Sequence, residues 1–221
     1  MDIKKAPVNI PADIVAFYRD LDRVHREFTG EFPPVELTER QRADYLDQQA
    51  PLLNYADLRL NREKVTRAFN EICRVFSRHR PQLGDDLAEI EKALAAGEKD
   101  IRPLVEKAIW QDKRFLADFA AEHHLNGELL ALVIFNAAKP FVTGYAGSLK
   151  PYVENGGWLQ NHCPVCGWQA ALAVRTAGDD RRQLQCSLCD TRWAYKNLKC
   201  PHCLNEDHEA MKYLAVEDDE V

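Results

Sequence analysis

Six of the seven cysteines in the 221-residue sequence form three Cys-x-x-Cys pairs, and all six lie after residue 160. The first two pairs, Cys163/Cys166 and Cys186/Cys189, have 19 residues between them. Two residues between cysteines let a tight turn direct both sulfur atoms to one point, and Gly167 allows the positive φ that such a turn uses. This spacing is typical of a structural four-cysteine metal site. The sequence therefore predicts that these four side chains hold one tetrahedral ion.

The third pair, Cys200/Cys203, follows after ten residues, and no fourth pair occurs before Val221. His208 is a candidate third ligand, because Cys-x2-Cys-x4-His begins a zinc-knuckle pattern, but Tyr213 occupies the position of its last cysteine. Four interpretations stay open for this second site. It is half-built, completed by His208 and another group, shared between the two chains of a homodimer, or cut off by a truncated terminus.

Four thiolates suit Zn(II) and a single iron equally well, so the sequence predicts iron or zinc without choosing between them. The start, Met1–Lys5, lacks the apolar run of a signal peptide, which predicts a cytoplasmic protein with reduced thiols. Metal ligation is therefore favoured over disulfides, and no βαβ pattern supports a redox dithiol. Cys73 stands alone in an apolar helical pattern and is predicted to be a core residue.

Short strand-like segments between turns surround the cysteine pairs. Near Gly156 the apolar pattern changes from helical periodicity to short strand-like segments. We therefore predict a helical domain at residues 1–156 and a metal-binding module at residues 157–221. A module of about 65 residues is small for a self-sufficient core, so bound metal is expected to supply much of its folding energy. The strand-like segments are Trp158–Leu159, Ala170–Val174, Gln183–Gln185, Arg192–Tyr195 and Met211–Val216.

The sequence before the cysteines predicts a helical bundle. Apolar residues recur at three- and four-residue steps, first from Ile14 to Phe28, which gives each helix one apolar face. Further helices are predicted after Asn61 and over Leu83–Leu94, Ile101–Ala108, Lys113–His123 and the run from Glu128 onward. The last is apolar on nearly all sides, which places it at the centre of the bundle, and Pro140 is expected to kink or end it. The predicted class is α+β, an N-terminal helical bundle followed by a small zinc-ribbon-like β module.

Charge and motif content exclude several functions. Lys and Arg total 29 against 35 Asp and Glu, a net charge of -6, whereas nucleic-acid binding needs a positive surface. The longest apolar run, Leu129–Phe135, is far short of a membrane span. The sequence lacks a Gly-rich phosphate loop, a His-Glu-x-x-His motif and a nucleophile elbow. We therefore predict a protein that is not an enzyme, binds no nucleic acid and does not insert into membranes.

Three C-terminal motifs are more specific than their cysteine spacing alone. They are Cys-Pro-Val-Cys-Gly at 163–167, Leu-Gln-Cys-Ser-Leu-Cys-Asp-Thr-Arg-Trp at 184–193, and Cys-Pro-His-Cys at 200–203. Together they resemble the formate dehydrogenase accessory protein family (FdhE). The Leu-Cys-x-Thr-x-Trp stretch is the most distinctive, because generic zinc ribbons do not share it. In the helical half, Pro51–Leu53 and His124–Pro140 stand where that family has comparable stretches.

The resemblance implies a cytoplasmic, non-enzymatic maturation factor with a helical domain joined to two rubredoxin-like, iron-associated modules. Its partner would be the catalytic subunit of a respiratory formate dehydrogenase that depends on molybdenum or tungsten, bound before export. The family carries four Cys-x-x-Cys pairs, of which this sequence matches the first three, so we expect a shortened gene product with an incomplete second site. Two alternatives stay open. One is a zinc-ribbon module for protein interaction or nucleic-acid association, and the other is a rubredoxin-like electron-transfer protein.

Overall fold

The computed structural model describes residues 10–30, 36–55, 58–95, 100–153, 157–176, 179–207 and 209. This part of the chain contains seven α-helices and one antiparallel sheet. The helices are α1 (Ala12–Phe28), α2 (Glu39–Gln48), α3 (Arg62–His79), α4 (Gly84–Ala95), α5 (Arg102–Ile109), α6 (Lys113–Glu122) and α7 (Gly127–Leu149). The strands are β1 (Ala170–Thr176), β2 (Asp179–Cys186) and β3 (Arg192–Ala194). This helix-rich fold with a small sheet and a C-terminal cysteine cluster confirms the α+β class.

The amphipathic sequences form helices where the apolar periodicity predicts them. In α1 the residues at three- and four-residue steps, from Phe17 to Phe28, are buried. The side chain of Asn61 accepts a hydrogen bond from the N–H of Lys64 at 2.9 Å and so caps the start of α3. Helices α4, α5 and α6 also begin and end close to the predicted positions.

Helix α2 was not predicted from the apolar pattern. Its ten residues bury one side chain, Tyr45, and therefore carry no apolar stripe. A capping box stabilises its first turn, because Thr38 Oγ1 accepts from the N–H of Gln41 while Gln41 Oε1 accepts from the N–H of Thr38. This box is a local sequence signal that identifies the helix.

Helix α7 lies at the centre of the bundle, as its sequence predicts. It contacts α1, α3, α4, α5 and α6. Pro140 is buried inside it and the helix continues to Leu149. Of the two predicted effects of Pro140, a helix end is therefore wrong, and a kink stays a prediction. Packing against five other helices outweighs the roughly 3 kcal/mol that an interior proline costs. Residues 127–152 are long and apolar enough to cross a membrane, but 72% of their most apolar window is buried inside the fold, as in a globular core helix.

The sheet has the order β1-β2-β3, with both neighbouring pairs antiparallel. Three predicted strand segments are confirmed within it, whereas Trp158–Leu159 forms no strand and Met211–Val216 lies outside the described residues. The Trp158 side chain is buried instead. Its ring stacks on Tyr45 of α2 with centroids 5.2 Å apart, and its Nε1 donates to the carbonyl of His162 at 2.8 Å.

The helices and the sheet share one hydrophobic core. The segment between α2 and α3 pairs with the loop before the sheet, because the N–H groups of Leu52 and Leu53 donate to the carbonyls of Pro164 and Val165 at 3.0 and 2.7 Å. Trp168 Nε1 also donates to the carbonyl that ends α5, at 2.8 Å. The predicted domain boundary, between residues 156 and 157, stays a prediction, because residues 154–156 lie outside the described part.

His25 on α1 is a source of pH-dependent stability. Its Nε2 is buried without a hydrogen-bond partner among the described residues, and burial, assisted by the charge of Lys139, lowers the pKa of His25 from 6.5 to about 4. The unfolded chain takes up this proton below about pH 6.5, so the stabilisation is complete above that pH and is lost toward pH 4.

We expect the wild-type protein to lose up to about 2 kcal/mol more unfolding free energy than a His25→Gln variant between about pH 7 and pH 5. Urea unfolding at both pH values measures this difference. Equal losses in the two proteins would contradict the assignment to His25.

Candidate metal centre

The four cysteines of the first two pairs converge on one point. Their Sγ atoms all lie within 4.8 Å of one another, and their side chains are at most 1% exposed. Sγ of Cys163 is 3.5 Å from Sγ of Cys189, and Sγ of Cys166 is 3.4 Å from Sγ of Cys186. Sulfur atoms about 2.3 Å from a tetrahedral ion are separated by about 3.8 Å. The cluster is therefore able to hold a tetrahedral metal ion with little rearrangement.

The first knuckle, Cys163–Cys166, has the backbone geometry of a thiolate-binding turn. The N–H groups of Val165 and Cys166 point at Sγ of Cys163, at 3.4 and 3.5 Å. Gly167 follows with φ 73°, which confirms the predicted positive φ. A Cβ at this position would lie 3.0 Å from Cγ of Pro51, so the glycine serves both the turn and the packing of the α2–α3 segment.

The second knuckle, Cys186–Cys189, repeats this geometry at the end of β2. The N–H groups of Leu188 and Cys189 approach Sγ of Cys186 at 3.4 and 3.5 Å. Asp190 takes the position of the glycine, with φ 56°. The hydroxyl oxygen of buried Thr191 lies 3.1 Å from Sγ of Cys189, and the hydroxyl is able to donate to that sulfur once it is a thiolate.

The electrostatics of the cluster favour a bound cation. Burial raises the pKa of the Cys163 thiol. In contrast, hydrogen bonds from the other three thiols lower the pKa of the Cys189 thiol, and the bond from Cys163 has the largest effect. Four buried thiolates this close repel one another strongly, and a divalent ion reduces their total charge to minus two. The all-sulfur donor set fits zinc or iron and does not discriminate between them.

Two side chains from the helical bundle contact the knuckles and were not found from the sequence. The hydroxyl of Tyr55 donates to the carbonyl of Cys166, and burial followed by the nearby cysteines raises the pKa of this phenol, which keeps it a neutral donor. Lys139 of α7 contacts the second knuckle through Asp190, with 2.8 Å between Nζ and Oδ1. Neither residue belongs to a local motif, because each is far in sequence from the knuckle it contacts.

The third knuckle, Cys200–Cys203, stands apart from the four-cysteine cluster. Cys200 is half-buried and Cys203 is exposed. Leu204 has φ 61°, like the residue after each other knuckle, and the N–H groups of Cys203 and then His202 lower the pKa of the Cys200 thiol. Among the described residues, no group of three or more potential ligands includes this pair. His208 lies outside the described residues, so the second site stays a prediction.

Cys73 is not part of any cluster of potential ligands within the described chain. It is buried in α3, and burial raises the pKa of its thiol. Its predicted role as a core residue is confirmed.

The cysteine module matches a known family model, described as the central domain of FdhE, over residues 162–196. An FdhE homologue of Aquifex aeolicus is 28% identical over 96 residues, covering 42% of this chain and 33% of its own. An FdhE homologue of Pseudomonas aeruginosa is 40% identical over 60 residues, covering 26% and 19%. The FdhE protein of Salmonella dublin is 26% identical over 141 residues, covering 62% and 41%. This chain thus spans less than half the length of each of these relatives.

The fold is similar to the crystal structure of the FdhE protein from Pseudomonas aeruginosa. The TM-score is 0.51 with 19% identity, and the match covers 95% of this chain and 68% of that one. The structural match thus extends over both the helices and the sheet, whereas the family model matches the region of the first two knuckles. The sequence motifs, the family model and the fold agree, and all three support the resemblance to the FdhE family.

Proposed function

We propose that this chain is an accessory factor for a formate dehydrogenase and binds the catalytic subunit in the cytoplasm before export. The main supporting observation is that the four-cysteine cluster coincides with the FdhE central-domain match at residues 162–196. In this proposal Cys163, Cys166, Cys186 and Cys189 ligate iron or zinc, and the protein supplies a binding surface rather than a reaction.

An open groove beside the first knuckle is our candidate for the client-binding surface. Its volume is about 450 Å³, and both the bundle and the metal module contribute to it. Trp110, between α5 and α6, is 49% exposed at its edge, with Lys107 Nζ 5.3 Å from the ring centre. Aromatic anchors dominate many protein interfaces. The groove is lined by Pro51, Leu53, Asn54, Tyr55, Trp110, Gln111, Cys166 and Gly167.

The role of the metal in this proposal follows from the contacts around the first knuckle. Tyr55 and the Leu52–Leu53 backbone bind the knuckle carbonyls, and Cys166 and Gly167 form one wall of the groove. An ion that fixes the knuckle therefore also fixes this wall. Loss of the ion is expected to weaken client binding without any chemical step at the metal.

An anaerobic pull-down from lysate of the source cell tests the proposal. Wild-type protein and a Tyr18→Ala control, which changes an exposed aromatic residue of α1, are expected to recover the catalytic subunit, identified by mass spectrometry. A Trp110→Ala variant is expected to recover roughly tenfold less, as for an interface hot spot. A Cys186→Ser/Cys189→Ser variant is expected to recover little or none.

Failure of the wild-type bait to recover the subunit from a lysate that contains it would overturn the proposal. Recovery that is equal for all four baits would reject the groove and the metal module as the binding surface.

A rubredoxin-like electron-transfer role is the second candidate, and the all-sulfur ligand set supports it. It requires iron that changes oxidation state. Anaerobically purified protein that contains zinc and lacks an iron–thiolate absorption band would exclude this role.

A further inference from the structure

Two side chains of the central helix, Lys139 and Thr143, contact the second knuckle. Lys139 of α7 directs its Nζ to three acceptors in the knuckle loop, and its side chain is 17% exposed. The distances are 3.1 Å to the carbonyl of Ser187, 3.5 Å to the carbonyl of Leu188 and 2.8 Å to Oδ1 of Asp190. One turn further along α7, the hydroxyl of Thr143 lies 3.4 Å from the same Leu188 carbonyl.

The position of this ammonium matters because of the charge of the centre. Ser187 and Leu188 are the two residues between the ligands Cys186 and Cys189, so Lys139 places a positive charge against the loop that joins two of the four sulfurs. Four thiolates and a divalent ion carry a net charge of minus two in a buried site. A half-buried cation against the loop that joins two of the sulfurs interacts with that charge more strongly than a solvent-exposed cation would.

We propose that Lys139 is a positioning residue of the metal centre, whose charge offsets that of the thiolates and slows metal loss. The inference rests on the four cysteines being metal ligands and does not depend on which client the protein serves. It differs from a purely mechanical role, in which Lys139 and Asp190 would only hold the knuckle against α7.

Asp190 separates these two roles. Its side chain is 43% exposed, and an asparagine tolerates its positive φ of 56°. Asp190→Asn removes a negative charge beside the thiolates but leaves Lys139 its two carbonyl acceptors. A mechanical role therefore predicts that Lys139→Met and Asp190→Asn act in the same direction, whereas a charge role predicts opposite effects on a charged centre.

Two measurements on purified variants of the 221-residue chain test the inference. The first is the rate at which zinc-loaded protein transfers zinc to a chromogenic chelator. Loss of an outer-shell partner typically weakens metal binding tenfold to a hundredfold, so we expect Lys139→Met to lose zinc roughly tenfold or more faster than wild type. Lys139→Arg should retain zinc like wild type. The control is Lys92→Met, which removes an exposed lysine of α4 that pairs with Glu89 at 3.4 Å, and it should also behave like wild type.

The second measurement is the reduction potential of the iron-loaded protein. Removal of a cation stabilises the oxidised centre, so Lys139→Met should lower the potential, and Asp190→Asn should raise it. Lys139→Arg should leave it close to the wild-type value.

An unchanged zinc-transfer rate and potential in Lys139→Met would overturn the inference. So would a lowered or unchanged potential in Asp190→Asn. If Lys139→Met does not fold, two results still overturn the inference. They are a lowered or unchanged potential in Asp190→Asn and a faster loss of zinc from Lys139→Arg than from wild type.

Discussion

Serine at positions 186 and 189 is expected to abolish stoichiometric metal binding and to unfold the sheet around the centre. Each substitution removes one predicted sulfur ligand. The four cysteine side chains of this site are buried, and their Sγ atoms lie within 4.8 Å of one another. Structural zinc sites contribute about 10–16 kcal/mol to folding in small metal-binding peptides, so even part of this loss exceeds the stability of a small module. Elemental analysis of the purified variant measures the metal. Hydrogen exchange of β1, β2 and β3 measures the unfolding.

Cys73→Ser is the matched control for this experiment. It makes the same chemical change at a buried cysteine on α3, away from the cluster. We expect full metal content, with a loss of about 1–3 kcal/mol from burying a hydroxyl in the core. Full metal content in both the single variants Cys186→Ser and Cys189→Ser would reject the ligand assignment.

Trp158→Ala is expected to lower the unfolding free energy of the metal-loaded protein by about 3–5 kcal/mol, the usual cost of removing a buried tryptophan side chain. The indole is 2% exposed, lies nearly parallel to the Tyr45 ring at 6°, and donates to the carbonyl of His162, which precedes the predicted ligand Cys163. It therefore joins α2 to the start of the metal module. Urea unfolding at a fixed concentration of free metal measures the change.

Trp110→Ala provides the comparison, because Trp110 is exposed and most exposed substitutions change stability by less than about 0.5 kcal/mol. A Trp158→Ala variant as stable as Trp110→Ala would show that the Trp158–Tyr45 stack contributes little. A fast loss of metal is expected to accompany the destabilisation, because the indole supports the segment that carries Cys163.

The sequence predicts those helices whose buried face appears as a periodic pattern of apolar residues. The stripes of α1 and α3 are buried at the expected positions, and the nearly continuous apolar run of α7 places that helix at the centre. Helix α2 shows no such pattern, because it contributes only one buried ring to the core and is stabilised by its capping box. The strand predicted at Trp158 is wrong because the ring of Trp158 packs on Tyr45 of a distant helix, and this contact does not require pairing in a sheet.

The clustering of the four cysteines is predictable for a similar reason, and the residues that contact the cluster are not. Spacing within a knuckle is a local property, so the four cysteines are identified from the sequence alone. Lys139 is 51 residues from Asp190, and Tyr55 is 111 residues from Cys166. Contacts over such separations depend on how the helices and the sheet pack together, so no pattern of residues near each other in the sequence predicts them.

The contact between Tyr55 and the first knuckle also sets an order of events on the ribosome. Synthesis at about 5–20 residues per second places roughly 6–22 s between these two partners, given their separation of 111 residues. During that interval Leu52 and Leu53, which are buried in the finished fold, have no knuckle to pair with. The nascent chain therefore exposes this apolar segment until both cysteine pairs have been made and, under the proposed metal ligation, have bound an ion. Scarcity of that ion in the cell would prolong the exposure, and the abundance of the protein would follow the metal supply through chaperone capture and proteolysis.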